Sequence, residues 1–309
     1  LFVIQIFKCQ SQQNTSKQEV APILLIQNLK KSNIMKTVHL FIAIALFTLG
    51  TGMAQTKYAS QETQEVIEKM IQAHGGYEKW NAIETLTFTS SMHSESLGFL
   101  RFWIKTQTID MKTRRSYQDW PLVGSQIVYD GEKAWSTNWR LGNPPNHQHS
   151  VYYYYVNLPW LTQDKNVQLG KVKKIQHPAF KTEVYKVPMS FTESPILGKS
   201  KNDTYTLYIN ATNFILDGYE YTVGYGPLLD QLKIPKDKTS FGPVLRLITY
   251  TGDVNGLKFP MLMTTNSLDL KQKYGDHAIY SFQLNEKFDE SRMNMPENGI
   301  VDNSKDVRQ

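Results

Sequence analysis

The chain has 309 residues, with 34 Lys and Arg against 28 Asp and Glu, 17 Tyr, six Trp and one Cys. Five of the basic residues and one acidic residue lie before residue 55, so the rest carries 29 against 27, which removes any general electrostatic case for nucleic acid or an anionic membrane. Cys9 also lies there, so disulfides, thiol nucleophiles and thiolate metal sites are excluded from the remainder.

Residues 35–54, MKTVHLFIAIALFTLGTGMA, read as an export signal. Lys36 precedes an apolar run over 38–49, and Gly52 and Ala54 stand where a signal peptidase reads small residues. The run is short of the roughly 20 residues needed to cross a bilayer. The expected mature protein therefore begins at Gln55, exported to the periplasm, soluble and without a lipid anchor. Residues 1–34 read as untranslated upstream sequence, or alternatively as a long leader using Lys30 and Lys31. Residues 55–296 read as one domain and 297–309 as a polar C-terminal tail.

Within the domain, Ser60 is placed to cap a helix whose apolar face carries Val66, Ile67, Met70 and Ile71, and Gly75-Gly76 is placed to stop it. A helical turn over 77–83 then presents Trp80. From Thr85 the period becomes two. Leu86, Phe88 and Met92 share one face, and Leu100, Phe102 and Ile104 alternate with Arg101, Trp103 and Lys105. Strands follow near 112–119, 125–130 and 133–138, with Asp130-Gly131 as a hairpin turn. Residues 142–165, containing Tyr152–Tyr155 and Pro159-Trp160-Leu161, read as a loop leading into a short helix over one end of the sheet. More strands are expected near 167–175, 182–190, 205–209, 219–225, 244–251, 257–263 and 278–284, with a long loop over 224–242. The predicted fold is α+β, mainly β, with about a dozen strands in a single antiparallel sheet.

Several of these pieces also form a known pattern. They are His74-Gly75-Gly76 with Trp80 and Ile83, Val128-Tyr129-Asp130-Gly131 with Trp135, Leu158-Pro159-Trp160-Leu161, Tyr208-Ile209-Asn210 with Asn213, Val254-Asn255-Gly256-Leu257 before Phe259-Pro260, and Leu284-Asn285-Glu286-Lys287-Phe288-Asp289. In this order, over about residues 60–296, they resemble the periplasmic outer-membrane lipoprotein-sorting carriers, and more closely an uncharacterised exported domain family related to them. The resemblance implies a strongly curved antiparallel sheet, an incomplete barrel whose concave side is covered by an N-terminal helix and a short aromatic helix, and non-catalytic carriage of lipid or lipoprotein. It assigns no residue a role, because the basic cavity residue of those carriers has no matching position in the motifs.

The chemical candidates are few. His147-x-His149 has the spacing of a metal pair but reads as solvated loop without a third ligand. Asp130 belongs to its hairpin, and Asp217 and Glu220 fall on opposite strand faces. Gly224-Tyr225-Gly226-Pro227 is a turn, and hydrolase, zinc-protease and phosphate-loop motifs are absent. The leading expectation is a non-enzymatic exported binding protein, without cofactor or metal, whose partner is an apolar small molecule, a lipid or a lipoprotein acyl chain. Trp103, Tyr129, Trp135, Tyr154, Trp160, Tyr221 and Met261 are expected to line the site. One alternative is an envelope structural protein docking a protein partner through the same sheet. The other is an enzyme, for which polar side chains converging at the base of an apolar cleft would speak. Tyr152–Tyr155 reads either as core or as a movable lid.

Overall fold

The computed structural model describes residues 57–94, 102–250 and 252–308. The export signal and the segment before it lie outside the described residues.

Helix α1, Gln61–Ala73, starts at Ser60, whose hydroxyl accepts a hydrogen bond from the Thr63 amide at 3.1 Å. It buries Val66, Ile67, Met70 and Ile71 and ends at Gly75 and Gly76, both at positive φ. A Cβ at Gly75 would lie 2.1 Å from the Gly256 carbonyl, so glycine here also admits a distant turn. Helix α2, Tyr77–Asn81, then sets Trp80 flat against Trp160, centroids 4.4 Å apart.

Five strands follow: β1 Thr85–His93, β2 Phe102–Asp110, β3 Ser116–Trp120, β4 Ser125–Tyr129 and β5 Ala134–Thr137. At the β4–β5 hairpin, Asp130 Oδ1 accepts from the amides of Glu132 and Lys133. After helix α3, Pro145–Leu161, come β6 Val167–Leu169, β7 Lys173–Ile175, β8 Val184–Phe191, β9 Thr204–Asn210 and β10 Leu216–Val223. Helix α4, Gly226–Gln231, interrupts the expected long loop, and β11 Phe241–Tyr250, β12 Pro260–Asn266, β13 Lys273–Leu284 and β14 Ile300–Val301 complete the chain. All 14 strands join one antiparallel sheet in the order β14-β5-β4-β3-β2-β1-β13-β12-β11-β10-β9-β8-β6, with β7 also on β8. Its two ends do not pair, so the sheet is unclosed, as the resemblance implies.

The sheet curves around α3. That one helix touches Trp103 of β2, Tyr129 of β4, Arg246 of β11 and His277 of β13 through Tyr152, His149, Tyr155 and Tyr152 respectively. The helix is 17 residues long, not short, and every residue from Asn146 to Leu161 is buried. Pro145 at its first turn needs no helical donor, and Pro159 falls in its last turn. The helix has no side-chain cap of its own. Asp302, just past β14, fills that place by accepting from the Asn146 amide at 2.8 Å.

Residues 297–308, expected as a polar tail, therefore form a strap. After β14 pairs with β5, Ser304 accepts from Asn146 Nδ2, Asp306 accepts from the Gly226 amide, and Arg308 donates to Asp230 and to the carbonyls of Ile234, Pro235 and Lys238.

Two face assignments differ from the alternation read in the sequence. In β2 the apolar residue Phe102 is exposed, while Trp103, Lys105, Gln107 and Ile109 turn toward α3. In β12, Thr249 pairs with Leu262 but Tyr250 pairs with Pro260, so Met261 is the extra residue of a bulge. It is 39% exposed, whereas Leu257, Phe259 and Met263 are buried as expected.

Candidate functional site

Around α3 the interior divides into a dry apolar end and a polar end. At the C-terminal end of the helix, Trp160 stacks on Trp80 and donates through Nε1 to the Gly76 carbonyl at 3.1 Å, while Phe259 stacks on Phe282 at 4.4 Å. This is packed core.

At the N-terminal end, polar groups are buried and mostly paired. Gln107 and Gln118 donate to the His149 carbonyl, and His147 Nδ1 and His149 Nε2 donate to the carbonyls of Gly198 and Leu197. The two histidines are thus helix residues inside the protein, not a solvated loop. Burial pushes their pKa values down, His147 to about 4 and His149 to about 3, so both rings are neutral near pH 7. Among the described residues there is no cluster of His, Cys, Asp or Glu that would hold a metal ion.

Three cations are buried in this interior. Lys199 pairs with Asp203 at 2.8 Å and donates to the Tyr221 hydroxyl at 2.9 Å. Lys105 donates to Gln107 Oε1 at 3.0 Å and sits 4.4 Å over the Tyr152 ring, and burial holds its amine far below its ordinary pKa. Arg246 lies 4.1 Å over the Tyr155 ring and donates from Nη1 to the Tyr219 hydroxyl at 3.1 Å. Burial opposes its charge, but the oxygens of Tyr155 and Tyr219 outweigh that and raise its pKa. Among the described residues no carboxylate pairs with Lys105 or Arg246.

Arg246 opens on a cleft of about 880 Å³. Val151 and Tyr155 of α3 form one wall, Tyr221, Val223 and Val244 the floor, and Leu228, Ile234 and Phe241 the outer wall. Arg246 and its cross-strand neighbour Thr265 lie at the polar side of this floor. The outer wall follows α4, and the Arg308 bonds of the C-terminal strap hold it. Smaller cavities of about 340 and 260 Å³ lie beside Tyr129 with Asp164 and beside Trp80 with Tyr153.

The seven residues expected to line the site are not gathered in one place. Tyr221 lines the main cleft, Tyr129 the 340 Å³ cavity and Trp160 the 260 Å³ cavity. Trp103 packs on Tyr152 and Trp120, Trp135 is buried with its Nε1 unpaired, and Tyr154 lies under Lys199 at 4.7 Å. Met261 faces out of the sheet because of its bulge. Sequence reasoning missed Arg246, Thr265 and Tyr155 as a group. A basic residue in a strand of otherwise apolar alternation, GPVLRLITY, was the available sign.

No protein-family model and no curated protein matches the chain. Among its structural neighbours are LolA superfamily proteins. A member from Nitrosomonas europaea is 9% identical, covers 75% of this chain and 97% of its own, and has a TM-score of 0.45. A DUF1329 family protein from Desulfovibrio piger is 6% identical, covers 76% and 98%, and has a TM-score of 0.43. Among the described residues no helix is long and apolar enough to cross a membrane.

Proposed function

We propose that this chain is an exported, non-catalytic binding protein or carrier for an apolar ligand, a lipid or the acyl chain of a lipoprotein, held in the cleft between α3, β10–β12 and α4. The observation that carries the reading is a cleft of about 880 Å³ whose walls are Val, Leu, Ile, Phe and Tyr, in an unclosed sheet whose own side chains leave it unfilled. That volume falls within the roughly 300–1,000 Å³ of small-molecule sites. Each methylene buried there contributes about 0.8 kcal/mol, so chain length alone supplies useful affinity. Exposed Leu232 and Phe241 at the rim give an acyl chain a place to enter.

The polar groups on the floor bear on the enzymatic alternative. Catalysis by nucleophile and base needs a hydroxyl or thiol in hydrogen-bond reach of a base. His147, the histidine in the lining of the cleft, spends its Nδ1 proton on Gly198, and the hydroxyl bonded to a histidine, that of Tyr152 on His277 Nδ1 at 2.7 Å, belongs to residues outside that lining. Lipid extraction and mass spectrometry of protein purified from its own host should return co-purified acyl lipid, and the purified protein should take up a fluorescent fatty acid. Clean protein that also fails to take up the probe overturns the reading, and hydrolysis of a methyl ester offered to it would turn the argument toward an enzyme.

A further inference from the structure

The floor of the cleft carries an electrostatic asymmetry that an apolar ligand alone does not use. Among the described residues lining it there is no Asp or Glu, and the two cationic ones are Arg246 at depth and Lys238 at the exposed rim. Arg246 is more than nine-tenths buried. A guanidinium at that depth normally has a carboxylate partner, because desolvating an unpaired charge is costly. Lys199, a short way along the same interior, has one in Asp203. Arg246 has tyrosines in that place, the hydroxyls of Tyr219 and Tyr155 and the rings of Tyr155, Tyr219 and Tyr221, and its Nε donor has no partner. The hydroxyl of Thr265, directly across the β11–β12 ladder, is also buried and unpaired. One unpaired N–H and one unpaired O–H thus belong to side chains on neighbouring strands that both line the cleft, next to a fixed positive charge.

We propose that the cleft selects single-chain amphiphiles with an anionic head, a carboxylate or a phosphate, seated on the Arg246 guanidinium and the Thr265 hydroxyl, with the chain lying along the apolar wall toward Phe241. This rests on the reading of the cleft as a ligand site. The planar guanidinium fork matches the two oxygens of such a head, and Thr265 supplies a further donor. Tyr155 and Tyr219 hold the fork in place from α3 and β10. A neutral head would leave the buried charge as it stands and add no ion pair.

The test is calorimetric titration of the full chain with dodecanoate, dodecyl phosphate and dodecanol, which share one chain. At least one anion should bind about tenfold or more tightly than the alcohol, as a charge-assisted hydrogen bond predicts. Whichever anion binds better tells a fatty acid from a phosphate head. Arg246→Met should bring the anion-to-alcohol ratio near one, and Arg246→Lys should recover part of it. If Arg246→Met does not fold, Arg246→Lys and the wild-type ratio still decide. Equal binding of anion and alcohol by the wild type, or an unchanged ratio in either variant, overturns the head-group assignment and leaves the apolar cleft standing. Failure of all three probes to bind would instead overturn the ligand-site reading itself.

Discussion

Lys105 and Arg246 stand on strands to either side of β13, against one helix, in nearly the same arrangement. Each is a buried cation on a strand of the inner face, each lies over a tyrosine ring of α3, at 4.4 and 4.1 Å, and those rings, Tyr152 and Tyr155, belong to successive turns. Each also faces a buried hydroxyl with no partner directly across the ladder, Ser90 beside Lys105 and Thr265 beside Arg246. The difference is space. Lys105 is sealed among Gln107, Trp120 and Tyr152, whereas Arg246 borders the large cleft. Their chemistry diverges accordingly. Burial lowers the pKa of the Lys105 ammonium far below its ordinary value, a shift that works against its charge, while a guanidinium stays charged and keeps an unfilled demand for an anion. A buried cation marks a binding site only when it is permanently charged and has room beside it.

The largest way to sharpen that comparison is to make a third unpaired cation. Among the described residues Asp203 is the only carboxylate bonded to Lys199, and its other oxygen accepts from the Gly224 amide. Asp203→Ala leaves a fully buried ammonium without its counter-charge and should cost about 3–5 kcal/mol in urea unfolding. A loss below about 1 kcal/mol would mean that pairing matters little in this interior, and the unpaired state of Arg246 would lose its significance.

Next in size is Lys105→Met, which should stabilise the fold by about 1 kcal/mol or more at pH 7, since a volume-matched apolar side chain replaces a buried ionisable one. The pH dependence gives the sign. Burial lowers the folded-state pKa of Lys105 well below 10.5, so the unfolded chain binds the extra proton. Wild-type stability therefore rises with pH from that lowered value up to about 10.5, and the variant should lack this rise. A variant less stable than wild type at every pH would show that Lys105 is charged and held by its rings. The two flanks would then be alike.

The parts of this architecture written as local pattern were legible in the sequence. Ser60, the Gly75-Gly76 stop, the Asp130-Gly131 turn and the period-two segments each encode their geometry within a few residues, and together they imply one antiparallel sheet. Helix α3 was not legible at its full length. A helix wrapped on all sides has no apolar stripe to find, and its aromatic run reads equally as strand or loop. The inward turn of Lys105 was hidden for a related reason, since Phe102 and Ile104 make the more apolar face of β2 and yet Phe102 is exposed. The inner surface is chosen by what α3 needs beside it, namely amides for the carbonyls of Gln148 and His149. Arg246 and Thr265 meet only because β11 and β12 pair in one register, and the bulge at Met261 helps to set that register.

The smallest prediction isolates the space beside the two cations. Ser90→Ala and Thr265→Val each delete a buried hydroxyl that has no partner, so neither loses a hydrogen bond and both should change stability by no more than about 1 kcal/mol, toward greater stability. Thermal melts of the two should be nearly superimposable. Their effects on ligand selection should not be. Thr265→Val removes a donor from the open flank and should lower the dodecanoate-to-dodecanol affinity ratio a few-fold, while Ser90→Ala, on the sealed flank, should leave it unchanged. Because the two substitutions match in chemistry, burial and position opposite a cation, a difference between them in binding alone can come only from the cleft. If both lower the ratio, or neither does, the asymmetry between the flanks has no bearing on selection, and the basis for seating an anion at Arg246 goes with it.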